Sequence, residues 1–401
     1  MNQRNYKATG INLKAIPMGE ADKMVTVLTK ERGIVRAIAP GARKHKSRLA
    51  GRSGLFVVNE VLFIKGKSID KFVQAETQQS FPKLSQDLAK LTASQYLAEI
   101  ALAQALTDQP QEELYCLLIE HLVRLEKAST NDVLPCLAQA TYHMLALAGV
   151  APEVFRCCLS RSPLNPPLGD PDWQVAFSVS SGGAVDPDEI ARLERDRFQE
   201  IEHIEQEWHE QRQSPSSLQT SAPEHIISSD STPSENRPSE KNPSENAPSE
   251  NSPSNNSPSV NSAPSNRQAN RQWQAQLKRK VSREVSQNLG IVGYLSGAEL
   301  ALMQQLSKPE LIMTQPISYQ RSQFTPQIDL HNTSKSGTIG AAEPASPWNS
   351  HSGLGASGPH RMWRHIEQFL RQYAQYQFDR PIKSAALIDV CFTSPTHAAR
   401  A

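Results

Sequence analysis

The sequence predicts a multidomain α+β protein, with a small five-stranded β-barrel first and an α-helical bundle domain after it. Three observations predict it. Five short apolar runs, rich in β-branched residues and separated by glycine turns, fill the chain before residue 80. From Leu84 the apolar period changes to helical spacing. Two stretches, 214–268 and 316–360, are too polar and too rich in Pro, Ser and Gly to join a core, so they read as disordered insertions in the helical domain.

The first strand reads as Tyr6–Ile16 and the second as Lys23–Thr29, with Lys30-Glu31-Arg32-Gly33 as the turn that follows. Ile34–Ala39, Leu55–Lys65 and Ile69–Gln79 complete the set. Five strands in so short a span suit a closed barrel of the OB-fold type, which leaves no apolar edge exposed. A small SH3-like barrel or an open meander is the structural alternative.

Leu84, Leu88, Leu91, Ala98, Ala101 and Ala105 then mark a helix that Asp108-Gln109-Pro110 ends. Glu112–Ala128 is a second helix, with Leu114, Leu118, Leu122 and Leu125 on one face. Thr130-Asn131-Asp132 offers a cap for a third helix, which runs to Leu147 and stops at Gly149 and Pro152. Val175–Gly183 reads as a short strand with a turn, and Asp186–Gln213 as a charged, solvated helix with Asp186 or Asp188 near its start. Gln272–Ser307 is helical, with Leu295, Leu300, Leu302, Met303 and Leu306 on its apolar side and Ser296 as a cap. The last helix, Arg361–Phe378, carries Met362, Ile366, Phe369, Leu370 and Tyr373 on one side. The chain thus divides into a barrel (1–80), a first helical part (81–155), an irregular segment with the charged helix (156–213), a linker (214–268), a second helical part (269–315), an insertion (316–360), and a terminal helix and tail (361–401).

The net charge of +1 conceals an asymmetry. Residues 1–83 hold ten Lys and six Arg against six acids, whereas residues 84–160 hold two Lys and two Arg against nine. A polyanion partner therefore belongs to the barrel alone. The focus of the charge is Gly41–Arg52, GARKHKSRLAGR, with Arg43, Lys44, Lys46, Arg48 and Arg52 and no acid. Unpaired cations at this density are too costly to bury, so they project from a loop between the third and fourth strands. Lys65, Lys67 and Lys71 on the next hairpin extend the surface, which suits nucleic-acid phosphates.

Several chemistries are missing. GxxxxGK[ST], GxGxxG after a strand, HExxH and GxSxG do not occur. The barrel's acids, Glu20, Asp22, Glu31, Glu60, Asp70 and Glu76, are scattered, which argues against a metal-dependent nuclease. The chain is expected to be no enzyme. Of five cysteines, Cys116 and Cys136 read as core residues, and their free thiols suit a reducing compartment. Cys157 and Cys158 are adjacent, but a structural zinc site wants four ligands and Gly182–Pro187 downstream supplies no Cys or His. No metal or other cofactor is expected, and His203 and His209 are expected to face solvent. The N-terminal residues hold no apolar signal core, and no run approaches the roughly 18 apolar residues that span a bilayer. A soluble, cytoplasmic, nucleoid-associated protein with no membrane contact is the expectation.

Ala8–Gly51, ATGINLKAIPMGEADKMVTVLTKERGIVRAIAPGARKHKSRLAG, resembles the N-terminal domain of the RecO family of bacterial recombination mediators. The resemblance lies in the TG strand, the GEAD turn at Gly19–Asp22, the LTxERG turn at Leu28–Gly33 and the GAR…KSRLAG loop. It is dense across Tyr6–Glu76 and looser to Gly149, and it returns at CCLSR, FSVSSGG and the closing YxxYxFDRPIKSAALI. It implies an OB-fold DNA-binding domain on a helical domain, and binding of single- and double-stranded DNA. It further implies annealing of complementary strands, partnership with RecR and single-strand-binding protein, and loading of RecA at gaps. Many members carry a four-cysteine zinc module, of which only the first pair is matched here, by Cys157 and Cys158. In the family the helical domain receives the acidic tail of single-strand-binding protein. Arg361, Arg364, Arg371, Arg380 and Lys383 are the candidate cations for it, with Lys278 and Arg279 as weaker ones. An OB-fold RNA-binding protein without catalytic activity is the alternative reading.

The PSEN motif recurs from Pro233 every fifth residue, which forbids a continuous helix and offers almost nothing apolar to bury. Deleting residues 214–268 should leave a folded chain with its ligand binding intact, because loop length enters closure entropy only slowly. Circular dichroism and a binding titration check this; an insoluble deletion variant would contradict it.

Overall fold

The computed structural model describes residues 4–167, 169–213, 266–308 and 359–393. Most of the two expected insertions lies outside the described residues. Order begins slightly earlier than the sequence suggests, at Asn266 after the first and at Pro359 after the second.

The barrel is closed. β1 (Asn5–Met18), β2 (Asp22–Thr29), β3 (Gly33–Ala39), β4 (Val57–Ile64) and β5 (Asp70–Ser80) stand in the order β1-β2-β3-β5-β4. All pairings are antiparallel except β3 with β5, where Ala37 faces Asp70 and Ile38 faces Lys71. This is the five-stranded OB-type closure that the strand spacing predicts. The barrel core alternates with the outer face: Val25, Val27, Val35, Ala37, Val61, Phe63, Phe72 and Ala75 are buried together. Gly10 permits the close approach of β1 to β2, since a Cβ there would lie 2.6 Å from Val27 Cγ1 and 2.7 Å from the Leu28 carbonyl oxygen.

The helical domain begins after a 3-10 turn at Pro82–Gln86. Its helices are α2 (Leu88–Gln104), α3 (Glu112–Lys127), α4 (Val133–Leu147), α7 (Gly297–Leu306), α8 (Pro359–Phe378) and α9 (Ala385–Thr393); a single short turn, α1 (Leu49–Arg52), lies in the barrel. α4 is the hub. Twelve of its fifteen residues are buried, as befits a helix apolar on every side, and α2, α3, α7 and α8 pack around it. Asp87 caps α2 through the N–H groups of Ala89 and Lys90, and Ser296 with Glu299 forms a capping box on α7.

Several expectations need correction. Leu88 is 62% exposed, because the packed face of α2 is Ala89, Ala93, Tyr96, Leu97 and Ile100. Cys116 is exposed: it lies two residues from both Leu114 and Leu118, on the opposite side of α3, whereas Cys136 is buried in α4. Thr130–Asp132 is a 3-10 turn rather than a side-chain cap, and the Asp132 carboxylate accepts from Ser129 Oγ instead. Leu295 belongs to a strand. β6 (Gln174–Ser178), β7 (Gly183–Val185) and β8 (Ile291–Ser296) form a small antiparallel sheet in which β6 is central, and β8 returns from beyond the first insertion. α5 (Pro187–Gln213) starts where expected, with Asp186 Oδ1 accepting from the Asp188 N–H.

Parts of α5 and of α6 (Asn266–Asn288) form a unit of their own between Leu193 and Glu284. Within it Arg197 binds Glu284 and Glu200, Ser282 donates to Glu194, and Lys278 lies over the Phe198 ring. His203 is exposed and pairs with Glu207 one turn on.

The barrel grips the helices at Gly33. Its φ is +62°, and a Cβ would lie 2.0 Å from the Leu106 carbonyl oxygen. Ile34 N–H donates to that same oxygen at 2.9 Å, and Gln111 N–H donates to the Lys30 carbonyl at 2.8 Å. Midway along α8, Glu367 is fully buried, 3.4 Å from Arg371. Burial pushes its carboxyl up to about 7 against the pull of Arg371, with Asp389 adding to the rise. A carboxyl raised on folding contributes stability that is whole below about 4.5 and lost as pH climbs through about 7. The fall in melting temperature between pH 5 and pH 8 should therefore be smaller in Glu367→Gln than in the wild type. Parallel melts at the two pH values check it, and an unchanged pH dependence would remove Glu367 from this role.

Candidate nucleic-acid interface

Strand register sorts the barrel's outer face into two transverse rows. Lys14 pairs with Thr26, and Thr26 with Arg36; Ile16 pairs with Met24, Met24 with Ile38, and Ile38 with Lys71. Cross-strand partners project to the same side of a sheet, so one row is cationic at both ends and the next is apolar with a lysine at its end. Lys14, Ile16, Arg36 and Lys71 are exposed. Arg380, from the loop after α8, joins Lys14 and Arg36 around a cavity of about 550 Å3 whose other wall is Leu102 and Ala105 at the end of α2.

The basic segment springs from the end of β3, beside these rows. Lys23 pairs with Ala39 on one side of its root and Lys71 with Ile38 on the other. The segment is tied down by its backbone. Arg43 N–H donates to the Ala21 carbonyl at 2.8 Å and Gly41 N–H to Asp22 Oδ1 at 2.7 Å. Its far end is held from below. The buried Asn12 amide donates to the Arg52 and Gly54 carbonyls, both at 2.8 Å, and the buried Asn59 amide donates to the Arg52 carbonyl at 2.9 Å. Lys44, Lys46 and Arg48 are exposed; Arg43 is exposed too, but its guanidinium donates to the Gly19 carbonyl. Arg52 is half-buried at the end of α1, and Lys65 and Lys67 are exposed on the β4–β5 turn.

The barrel's cations divide by their partners. Lys7 pairs with Glu60 at 2.7 Å, Lys30 with Glu112 at 3.4 Å and Arg32 with Asp108 at 3.8 Å. Among the described residues no carboxylate lies within 4 Å of Lys14, Arg36, Lys44, Lys46, Arg48, Lys65, Lys67, Lys71 or Arg380. Among the described residues the barrel exposes no Phe, Tyr or Trp ring, and its one open ring is the His45 imidazole of the basic segment. Phe56, Phe63 and Phe72 are buried, and Tyr6 is stacked on Phe63 and covered by the Arg32 guanidinium at 4.3 Å. The surface can hold phosphates and offers bases no Phe, Tyr or Trp to stack on.

The five C-terminal cations do not form one group. Arg371 is buried, with bonds of 2.9 and 3.0 Å to Asp389 and 3.2 Å to the Ala385 carbonyl, so it is a structural cation and is closed to a partner. Arg380 belongs to the barrel-side cavity, and Lys383 is exposed where its backbone N–H meets Glu99. Only Arg361 and Arg364 come together. They line a second cavity of about 660 Å3 with Tyr294, Glu299, Met362 and His365. Burial would raise the Glu299 carboxyl, but the bonds from His365, at 2.7 Å, and from Ser296 outweigh it and hold it below its usual range. Its charge is spent internally, and the arginines are left facing the cavity. Lys278 and Arg279 are exposed on α6, in the other unit.

Residues 1–81 match the family model described as recombination protein O N terminal, and residues 85–210 the one described as recombination protein O C terminal. The chain belongs to the RecO family. It is 39% identical to the DNA repair protein RecO of a Nostoc species over 394 residues, 98% of this chain and 97% of that protein. It is 37% identical to that of Acaryochloris marina, over 97% of this chain and 96% of the other. With the Gloeothece citriformis protein the identity is 56% over 205 residues, 51% of this chain and 71% of that one. Among the described residues no helix is long and apolar enough to cross a membrane, and no three His, Cys, Asp or Glu residues cluster as metal ligands.

The zinc module that the RecO resemblance carries does not fit this chain's donors. Cys157 is buried and its Sγ accepts the Asp186 N–H at 3.3 Å; Gly183, Ala184 and Val185, which face the pair, bear no ligand. What the sequence left unseen is the pair Lys14 and Arg36, which single strands conceal until register aligns them, and the two asparagines under the loop. Asn12→Ala should cost about 1–3 kcal/mol, since the Gly54 carbonyl loses its side-chain donor and the Arg52 carbonyl keeps only that of Asn59. It should also speed tryptic cleavage between residues 43 and 52. Chemical denaturation and timed proteolysis measure both, and wild-type behaviour in the two would exclude Asn12 as the loop's anchor.

Proposed function

We propose that this RecO-family chain is a cytoplasmic recombination mediator that binds single- and double-stranded DNA on its barrel and anneals complementary strands. It works without turnover. The observation that carries the reading is the set of unpaired cations on a barrel face with no open Phe, Tyr or Trp ring. Two strands repel through their phosphates, and a surface of unpaired cations lowers that barrier. A surface that binds backbone without stacking on bases leaves the bases free to pair. The DNA-repair role that the relatives' names carry favours DNA over RNA as the ligand.

Single-strand-binding protein is the proposed source of the annealed strands. The cavity at Arg361 and Arg364 suits its acidic, partly apolar tail, with Tyr294 and Met362 for the apolar part. RecR as partner and RecA loading at gaps rest on the family resemblance alone.

The test uses Lys44→Glu, Lys46→Glu and Arg48→Glu together, which disturb no internal side-chain bond. Loss of three phosphate contacts should reduce the slope of log K against log salt for single strands by about 2, and annealing should slow in step. A labelled acidic tail peptide should bind the variant as it binds the wild type. Unchanged DNA affinity would overturn the barrel assignment, and joint loss of peptide and DNA would mean that one surface serves both.

A further inference from the structure

The hairpin that carries Cys157 and Cys158 has features that neither the barrel nor the tail cavity absorbs. Leu164 N–H donates to the Phe155 carbonyl and Cys157 N–H to the Ser162 carbonyl, both at 2.8 Å, and Arg156 bridges Pro163. Arg161 N–H closes the tip on the Cys157 carbonyl at 2.9 Å, with Arg161 itself at φ +63°, a conformation costly for a side-chain-bearing residue. The hairpin is moored to β7 through Cys158 N–H and the Ala184 carbonyl at 2.8 Å, and through the Cys157 thiol under Asp186.

This stiff element presents Phe155, 47% exposed, and Leu159, 38% exposed, together with the exposed Arg156 and Arg161. Residues 154–163 contain no acid. The neighbouring half-buried Glu153 is folded back on the hairpin's own backbone, its Oε1 accepting from the N–H groups of Phe155 and Arg156 at 2.8 and 3.2 Å. Among the described residues neither arginine has a carboxylate within 4 Å. A lone exposed apolar side chain is ordinary. An exposed aromatic on a hydrogen-bonded hairpin that also carries two unneutralised guanidinium groups has the makings of a stacking platform with phosphate clamps on the same element.

We propose that this hairpin is a second nucleic-acid contact, in which Phe155 stacks on an unpaired base and Arg156 and Arg161 hold the flanking phosphates. The proposal rests on the reading of the chain as a DNA-binding protein and adds to it a preference. The barrel's cations accept the backbone of either form, whereas Phe155 accepts only a base that is not already stacked in a duplex. The chain thereby distinguishes a single-stranded gap from its double-stranded flanks.

Fluorescence anisotropy of full-length protein with a labelled oligothymidylate and with a duplex of equal length tests it. Phe155→Ala should weaken single-strand binding roughly tenfold, leave duplex binding within about twofold, and leave the melting temperature unchanged, since the ring is half open to solvent. Phe155→Tyr should restore single-strand binding, which a loss of generic packing would not require. Wild-type affinity in Phe155→Ala, or equal loss for duplex and single strand, overturns the proposal. So does normal DNA binding with loss of single-strand-binding protein, which would make the hairpin a protein-docking surface. The triple Lys44, Lys46 and Arg48 variant runs alongside. If it keeps both DNA forms at wild-type affinity while Phe155→Ala loses the single strand, the barrel reading fails and the hairpin contact stands.

Discussion

The short parallel pairing of β3 with β5 is the contact on which the candidate site depends. It joins only Ala37 to Asp70 and Ile38 to Lys71, yet it closes the barrel. Without closure β3 and β5 would each present an unpaired edge. With it, Lys71 is carried to the end of the row that runs from Ile16 through Met24 and Ile38, beside the root of the basic segment. Charge from three distant stretches of sequence meets because one sheet has no edge left.

A second constraint fixes how that face ends. Gly33 brings β3 against the Leu106 carbonyl so closely that a side chain is excluded, and this places the end of α2 and Arg380 opposite Lys14 and Arg36. The groove is therefore half barrel and half helical domain. The acidic balance of the first helices lies behind it: Glu112 and Asp108 are drawn into pairs with Lys30 and Arg32 at the join. The pairing neutralises cations at the join and leaves those around the loop and groove unneutralised, which gives the barrel a polarity that its net charge does not reveal.

The strands and most helices were legible because period and turn chemistry are local. The basic segment was legible because five cations without an acid have few places to go. Other features depended on distance. β8 was read into a helix, since its partner Val175 lies more than a hundred residues before Leu295 and nothing local marks the pairing. Arg371 stands one helical turn after Glu367, a spacing visible in the sequence, but its burial needed α9 and Asp389 to be folded over it. Lys14 and Arg36 each interrupt an apolar strand, and only register shows that they share a row with Thr26 between them. Cys116 was legible and misread: two residues from each neighbouring leucine is the far side of a helix.

The loop's own energetics explain why so much backbone hydrogen bonding is spent on it. Four exposed cations crowd the six residues from Arg43 to Arg48 with no acid among them. Their repulsion favours an extended, straying segment, and a straying segment would offer its charges at random spacing. The bonds from Asn12, Asn59, Asp22 and Ala21 oppose that and hold the charges over one end of the barrel. The repulsion is thus retained in the free protein, held by buried amides that water does not reach. A polyanion relieves it on arrival, and the relief adds to the counterions that the polyanion sheds. A loop of the same composition without its anchors would carry equal charge but would have to be ordered at the moment of binding, at a cost in conformational entropy for each residue fixed.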